Sequence, residues 1–206
     1  MQTTTFGDLT VRFDDGVLRP RAWTIAQSRW AAELAAGVPD GPILELCAGV
    51  GHIGLHLASL VRRRLVLVDA DAAACEHARF NVDLADLPLG AEVRHGPVDA
   101  ALGEAERFPL ILADPPWVPS RDTAAYPQDP VWAIDGGPDG LELARACVEV
   151  IGHHLDDAGV AVLQLGTEEQ ATRMQDHLAS RPDLALRVAE VRPVPDESGT
   201  LARLSR

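Results

Sequence analysis

Short runs of apolar residues alternate along the chain with segments in which apolar positions recur every three or four residues. A short apolar run bounded by Gly, Pro or Asp is typical of a buried strand, whereas the three-to-four spacing indicates an amphipathic helix. The runs predict strands at 42–46, 65–68, 91–95, 110–113 and 160–165. The spacing predicts helices at 49–60, 72–84, 141–155 and 168–179.

Strands that alternate with helices predict a parallel sheet with helices on both faces. Near the end of the chain, segments 184–194 and 200–204 are expected to pair as an antiparallel hairpin across 195–199. The predicted fold class is therefore α/β, a Rossmann-like, doubly wound and mostly parallel sheet of seven strands with a C-terminal antiparallel hairpin. Ligands bind beyond the carboxyl ends of the strands in such sheets, so the residues directly after each strand are the functional candidates.

The N-terminal region shows a different pattern. Residues 1–20 alternate apolar and polar positions and contain Asp-Asp-Gly at 14–16, which indicates a short hairpin with a turn. Thr24 is a candidate N-cap for a helix at 25–36. This hairpin and helix precede the alternating pattern of strands and helices.

Composition and charge narrow the class of protein. The chain has 206 residues, of which 47% are hydrophobic and 24% charged, which is typical of a folded domain. The formal net charge of -13 argues against a nucleic-acid partner, because phosphate neutralisation supplies much of the affinity of such complexes. The first residues lack the features of a signal peptide, and no apolar run approaches the roughly 20 residues that span a bilayer. We expect a cytoplasmic protein with no membrane association.

Cysteine and histidine spacing gives no sign of a metal site. The three cysteines, Cys47, Cys75 and Cys147, are odd in number and widely spaced, which fits neither a disulfide framework nor a zinc site. His52 and His56 lie four residues apart on a predicted helix, but the sequence places no third ligand near them. We expect no bound metal.

A glycine-rich loop follows the first strand of the predicted sheet. Gly49, Gly51 and Gly54 form a GxGxxG pattern, and Asp69 ends the next strand at the spacing of a ribose-binding acid. Glycines allow a ligand to approach the backbone closely, and the N-terminus of the following helix faces that ligand. Taken alone, the pattern fits a dinucleotide site, so an NAD-dependent oxidoreductase is one hypothesis.

An acid inside the strand favours a different ligand. Glu45 precedes the glycines, where a carboxylate would repel a pyrophosphate but suit a cation such as the ammonium of a methionine moiety. The loop resembles motif I of class I S-adenosylmethionine-dependent methyltransferases, in which an acid precedes a Gly/Cys-x-Gly-x-Gly loop. In that family a second acid, here Asp69, accepts hydrogen bonds from both ribose hydroxyls. The residues that this resemblance assigns to the S-adenosylmethionine site are Glu45, Cys47, Ala48, Gly49, Gly51, Asp69 and Ala70.

A second motif, Asp114-Pro115-Pro116-Trp117, follows the strand at 110–113. Two prolines fix φ and remove two backbone donors, which leaves their carbonyls free to accept. The Asp114 carboxylate and the Pro115 carbonyl can each accept one N–H of an –NH2 group, and Trp117 can stack on a planar acceptor. The nitrogen lone pair would then point at a sulfonium methyl, and such positioning can contribute about 7–11 kcal/mol. We expect these four residues to be catalytic, without a metal or a covalent nucleophile.

Three segments together resemble one group of methyltransferases. The Asp114 motif matches the [Asn/Asp]-Pro-Pro-aromatic motif of amino-group methyltransferases. With the sequences at 17–24 and 129–141, it resembles the HemK-type protein-glutamine N5-methyltransferases over most of the chain. The resemblance implies S-adenosylmethionine-dependent methyl transfer to an amino or amide nitrogen, with Asp114 also bordering the cofactor. It further places an acid after the third strand in the adenine pocket, for which Asp99 and its neighbour Val98 are candidates.

Departures from that group concern the methyl acceptor. The group's Asn is Asp114 here, and its Tyr is Trp117. An ionised Asp only accepts hydrogen bonds, so Asp114 fits an amine or an exocyclic –NH2 better than a glutamine amide. We expect a protein side chain or a small amine as the acceptor rather than a nucleic acid. The chain is similar in length to short archaeal and eukaryotic members, which use a partner subunit, and we expect no N-terminal helical domain like that of the bacterial enzymes.

Two alternatives stay open beside the methyltransferase hypothesis. One is the NAD-dependent oxidoreductase that would use the same glycine loop, although it leaves Glu45 and the Asp114 motif without a role. The other is a non-catalytic cofactor-binding subunit. In each case we expect one domain over 1–206, with the N-terminal hairpin and helix in 1–40 and a cofactor-binding catalytic core in 41–206.

Overall fold

A seven-stranded sheet lies at the centre of the protein, with helices on both faces. The computed structural model describes residues 1–194 and 199–206. In chain order the strands are β1 (Gln2–Phe6), β2 (Leu9–Phe13), β3 (Ile43–Leu46), β4 (Leu65–Asp69), β5 (Ala91–His95), β6 (Phe108–Ala113), β7 (Leu155–Leu165), β8 (Arg187–Pro193) and β9 (Thr200–Ser205). The α-helices are α1 (Ile25–Leu34), α2 (His52–Val61), α3 (Ala72–Ala85), α4 (Val131–Ile134), α5 (Glu142–His154) and α6 (Glu168–Ala179). Within these described residues, no helix has the combination of length and apolar character that a membrane crossing requires.

The strand order places three carboxyl ends side by side. The sheet runs β5-β4-β3-β6-β7-β9-β8, and β3 pairs in parallel with β4 on one side and with β6 on the other. The direction in which successive strands are added therefore reverses between β5 and β6, which leaves a crevice at the ends of β3 and β6. β1 and β2 form a separate antiparallel pair. The predicted α/β class and the mostly parallel seven-stranded sheet are confirmed.

The last two strands pair antiparallel, as predicted. Their order within the sheet is not visible in the sequence. β9 pairs with β7 and with β8, so the final strand inserts between two earlier ones. Residues 195–198, on which most of the predicted turn falls, lie outside the described residues. β7 also begins at Leu155, earlier than the predicted start at 160, because this residue pairs with Phe108 at the start of β6.

Burial explains why the central strands are continuous apolar runs. Every residue of β3 and of β6 is buried, as expected for parallel strands covered on both faces. Leu44 and Leu46 join the apolar layer that includes residues of α5 and α6. Ile43 points to the opposite layer, which includes Trp30 of α1 and Leu55 of α2. The alternation of side chains along one strand thus divides the core into two layers.

The N-terminal region differs from the prediction in two details. The turn between β1 and β2 lies at Gly7 and Asp8, with Gly7 at φ 58°, so the Asp-Asp-Gly at 14–16 follows β2 instead of joining the two strands. Thr24 makes no side-chain cap at the start of α1. Its hydroxyl instead donates to the carbonyl of Arg21 at 2.8 Å, which stabilises the short 3-10 turn that precedes the helix.

Candidate active site

A cavity of about 930 Å3 opens beyond the carboxyl ends of β3, β4 and β6. The glycine loop, the ends of β4 and β6, and parts of segments 17–24 and 126–134 contribute to its wall. All residues that the sequence predicted for the site line this cavity, except Glu45 and Gly51. The predicted residues in the wall are Cys47, Ala48, Gly49, Asp69, Ala70, Val98, Asp99, Asp114, Pro115, Pro116 and Trp117. The fold thus brings motifs that are distant in sequence to one site.

The glycine loop has a left-handed backbone at three positions. Cys47, Gly49 and Gly51 have φ values of 57°, 55° and 82°. Glycine adopts this conformation without steric cost, whereas Cys47 is strained in it. The N–H of Gly51 donates to the carbonyl of Ala48 at 2.8 Å, which closes the turn before α2. A Cβ built on Gly49 would meet no heavy atom within 4 Å, so the loop backbone borders open space that a ligand can approach.

Cys47 packs against a second thiol instead of a base. Its Sγ lies 3.8 Å from the Sγ of Cys147, which is buried on α5. Contact with this thiol and burial raise the pKa of Cys47 well above its ordinary value. A thiol in this setting stays protonated, which fits a packing residue better than a nucleophile.

Glu45 lies behind the cavity wall. Its side chain is buried, and Oε2 accepts a hydrogen bond from the N–H of Gly54 at 3.0 Å. A Cβ on Gly54 would lie 2.3 Å from this oxygen, so the third glycine of the pattern makes room for the carboxyl group. Burial raises the pKa of Glu45 well above its ordinary value, and the charges of Asp114 and Asp69 raise it further. Glu45 does not line the cavity, and its contact with a cofactor stays a prediction.

Asp69 is held at the end of β4 by backbone donors. Its Oδ2 accepts from the N–H of Gly49 at 2.7 Å, and its Oδ1 accepts from the N–H of Asp71 at 2.8 Å. Burial raises the pKa of Asp69, although these hydrogen bonds oppose the shift. The carboxylate is thus fixed in orientation beside the glycine loop, and both of its oxygens keep lone pairs for a ligand.

Asp114 joins the ends of two neighbouring strands. Its N–H donates to the carbonyl of Leu46 at 3.3 Å, which connects the end of β6 to the end of β3. Burial raises the pKa of Asp114 to about 7, because the surrounding protein disfavours the charged carboxylate. The side chain can therefore accept or release a proton near neutral pH.

A buried glutamine supports the loop that follows Asp114. Gln170, on α6, donates from Nε2 to the carbonyl of Trp117 at 2.9 Å and accepts from the N–H of Gly166 at Oε1 at 2.8 Å. The loop is further fixed by the N–H of Val118, which donates to the carbonyl of Ile134 at 3.0 Å. Sequence reasoning missed Gln170, because its position on a predicted helix carries no local signal for this contact.

An ion pair joins two parts of the cavity wall that are far apart in sequence. Arg21 donates from Nη2 to both carboxylate oxygens of Asp129, at 2.5 and 2.6 Å. Trp23 and Trp132 line the cavity beside this pair, as does Tyr126. Aromatic and apolar surface here offers a place for a substrate to pack against. The sequence singled out both segments but did not predict the ion pair.

Negative charge predominates in the wall. The acidic side chains in it are Asp69, Asp71, Asp99, Asp114 and Asp129, and the basic ones are Arg19 and Arg21. Because Arg21 pairs with Asp129, the remaining aspartates outnumber the remaining arginine. An occupant with a positively charged group is favoured in such a cavity.

The chain is similar in sequence to known methyltransferases. A family model described as the methyltransferase small domain matches residues 26–128, which is half of the chain. A release factor glutamine methyltransferase from Mycolicibacterium smegmatis is 32% identical over 168 residues, covering 79% of this chain and 58% of the relative. A ribosomal protein uL3 glutamine methyltransferase from Burkholderia pseudomallei is 32% identical over 139 residues, covering 62% of this chain and 45% of the relative. The chain therefore spans about half the length of these relatives.

A solved structure shows the same fold. The ribosomal protein L11 methylase from Lactobacillus delbrueckii subsp. bulgaricus superposes with a TM-score of 0.68 at 14% identity, covering 95% of this chain and 84% of the other. Similarity at this level of identity concerns the arrangement of the sheet and helices. Both relatives are named as methyltransferases, and neither name supports the NAD-dependent oxidoreductase.

Proposed function

Because the chain belongs to the methyltransferase small domain family, we propose that it is an S-adenosylmethionine-dependent N-methyltransferase that methylates an amino or amide nitrogen. The observation that carries the proposal is the convergence of two motifs on one cavity. The glycine loop with Asp69 borders one part of it, and Asp114-Pro115-Pro116-Trp117 borders another. A donor and an acceptor can therefore meet within the same cavity.

The residues present fit the proposed cofactor. A cavity of about 930 Å3 is large enough for a nucleoside with an amino-acid tail. The open space beside Gly49 allows close approach, and the predominance of aspartates suits a ligand with a sulfonium group. Asp69 would accept hydrogen bonds from ribose hydroxyls, and Val98 and Asp99 would border the adenine. When bound, the cofactor supplies a methyl group on a positively charged sulfur.

Asp114 and the two prolines would orient the acceptor nitrogen. The Asp114 carboxylate and the Pro115 carbonyl accept its N–H groups, which fixes the direction of the nitrogen lone pair. Trp117, held through its carbonyl by Gln170, offers an aromatic face against a planar acceptor. As the nitrogen becomes alkylated, it loses a proton, and the Asp114 carboxylate can hold that proton. Positioning of this kind contributes about 7–11 kcal/mol to a transfer reaction.

The acceptor that we propose is an amino or amide group on a protein side chain or a small amine. The two relatives are named for the glutamines that they methylate, in a release factor and in a ribosomal protein. Asp114 departs from the Asn of that motif, and in its ionised form it favours an amine because it only accepts hydrogen bonds. We extend the proposal to a partner subunit and a cytoplasmic location.

Ligand binding tests the cofactor assignment first. We expect S-adenosylhomocysteine, at about a hundred times its Kd, to stabilise the protein by roughly 2.7 kcal/mol and to raise Tm by several degrees, while NAD has no effect. Asp69→Ala should abolish the shift, and Asp40→Ala, which changes a fully exposed carboxylate, should keep it. A shift with NAD alone would refute the proposal in favour of the oxidoreductase.

Methyl transfer tests the acceptor assignment. With radiolabelled S-adenosylmethionine and cell extract as the source of acceptor, Asp114→Ala should lose transfer while it keeps the thermal shift with S-adenosylhomocysteine. Full transfer by this variant would show that Asp114 does not orient the acceptor. Cofactor binding without transfer to any fraction would support the non-catalytic subunit instead.

A further inference from the structure

Three carboxyl groups lie near the carboxyl ends of three neighbouring strands, two of them in the cavity wall and one behind it. Glu45 is on β3, Asp69 ends β4, and Asp114 directly follows β6. Since β3 lies between β4 and β6, the fold places Glu45 between the other two acids. Their charges act on one another, because both aspartates oppose the ionisation of Glu45. We refer to these three residues as the carboxyl set.

Backbone groups, and not basic side chains, donate to two acids of the carboxyl set. Gly54 donates to Glu45, and Gly49 and Asp71 donate to Asp69. In the part of the chain that the structure describes, no Arg or His forms a salt bridge with any of the three acids. The sequence contains no Lys that could do so.

Other charged groups around the cavity do not compensate for this negative charge. From the N-terminal segment, Arg21 is paired with Asp129, and the guanidinium of Arg19 lies over the ring of Phe13, 5.7 Å from its centroid. From α2, His52 is neutral near pH 7, because burial lowers its pKa to about 3.

Two further aspartates add to the negative charge. Asp71 follows β4 and Asp99 follows β5, and both line the cavity. The thiol of Cys47 lines the same cavity, and its raised pKa keeps it uncharged there. His95, which pairs with Asp69 at the end of β5, places its Nε2 3.1 Å from the carbonyl of Ala70 and forms no salt bridge with the three acids. Burial raises the pKa of each acid in the carboxyl set and so favours its protonated form.

The two forms of the cofactor differ in charge where they meet this set. S-adenosylmethionine carries a sulfonium and an ammonium against one carboxylate, whereas S-adenosylhomocysteine has an uncharged thioether in place of the sulfonium. A cation favours ionised carboxyl groups, and an uncharged thioether does not.

We propose that Glu45, Asp69 and Asp114 select the methyl donor over the product, which lacks the positively charged sulfonium, because donor binding expels a proton from the carboxyl set and product binding does not. This inference rests on the proposed function, since it assumes that the cavity binds the two cofactor forms. It assigns Glu45 a role in specificity although its side chain does not line the cavity. The preference for the donor increases with pH, by up to about tenfold per pH unit when one proton is expelled.

Isothermal titration calorimetry tests this selection without any methyl acceptor. S-adenosylmethionine and S-adenosylhomocysteine are titrated separately at pH 6, 7 and 8, in two buffers of different ionisation enthalpy, so that the number of protons released is measured directly. We expect proton release with the donor alone, and a ratio of product Kd to donor Kd that rises at least fivefold from pH 6 to pH 8.

Two variants of the carboxyl set and one control refine the test. Asp114→Asn and Glu45→Gln each remove one ionisable group, and the Gln oxygen can still accept from Gly54. Both should lower the proton release and flatten the pH dependence of the Kd ratio, whereas Asp40→Asn, at a fully exposed site, should leave both unchanged.

The possible failures are distinguishable. Equal proton release and equal pH dependence for the two ligands would overturn the selection while the proposed function stands. If neither ligand binds at any pH, the proposed function fails and this inference fails with it.

Discussion

Compared with wild type, the Asp114→Asn variant is expected to gain free energy of unfolding as the pH rises from 4 to 8. Burial raises the pKa of Asp114 from 3.8 to about 7, so the folded state binds this proton more tightly than the unfolded state does. Wild-type stability therefore falls as the pH rises from about 4 to 7, whereas Asn is uncharged throughout and does not contribute to that fall. At about 1.4 kcal/mol per pKa unit, the pH-dependent difference between the two proteins reaches about 4 kcal/mol above pH 7.

Urea unfolding at several pH values measures this difference. The free energy of unfolding of wild type and Asp114→Asn is determined at pH 4, 5.5, 7 and 8 from tryptophan fluorescence, with linear extrapolation to zero denaturant. About half of the full difference is expected at pH 5.5. An unpaired Asn amide adds an offset that does not vary with pH, so the change with pH is the quantity that matters.

A control and a contrary result define the limits of this prediction. Asp40→Asn changes a fully exposed carboxylate and should alter the free energy of unfolding by less than about 0.5 kcal/mol at every pH. If the difference between wild type and Asp114→Asn were constant from pH 4 to pH 8, the assignment of an unfavourable buried carboxylate to Asp114 would be refuted.

Two further predictions concern contacts that support the site. Gly54→Ala should lower the free energy of unfolding, measured with urea, by about 1–3 kcal/mol, because the new Cβ would lie 2.3 Å from Oε2 of Glu45. The control Gly37→Ala, at a glycine bordered by open space, should change it by less than about 1 kcal/mol. Equal effects of the two substitutions would contradict the steric reasoning. Gln170→Ala should lower the free energy of unfolding by about 1–3 kcal/mol in the same assay, since it removes the donor to the Trp117 carbonyl. An unchanged urea midpoint would show that this hydrogen bond does not contribute to stability.

Most of the fold could be predicted from the sequence. The strands at 65–68 and 110–113 are apolar at successive positions because both faces of a parallel strand are buried, and that requirement is visible locally. These apolar runs alternate with segments of helical spacing, and that alternation indicated the α/β class. The position of β9 between β7 and β8 could not be predicted in this way, because pairing between strands distant in sequence leaves no local pattern.

The candidate site was partly predictable, since its motifs follow strand ends. Asp69 and Asp114 were identifiable because each directly follows an apolar run, and parallel strands bring their carboxyl ends to one edge. The hairpin turn at Gly7 was misplaced, because Asp-Asp-Gly at 14–16 has turn chemistry equally suited to ending a strand.

The sequence by itself determined the order of strands and helices and the residues that meet at the carboxyl edge, because burial and backbone hydrogen bonding impose local periodicities. Only the tertiary structure decided what those residues contact. Glu45 turned out to meet Gly54 behind the wall, and Arg21 to meet Asp129 across it. Gln170 reaches the Trp117 carbonyl from α6. These contacts join elements distant along the chain, and their existence depends on how whole layers pack, which no local pattern encodes.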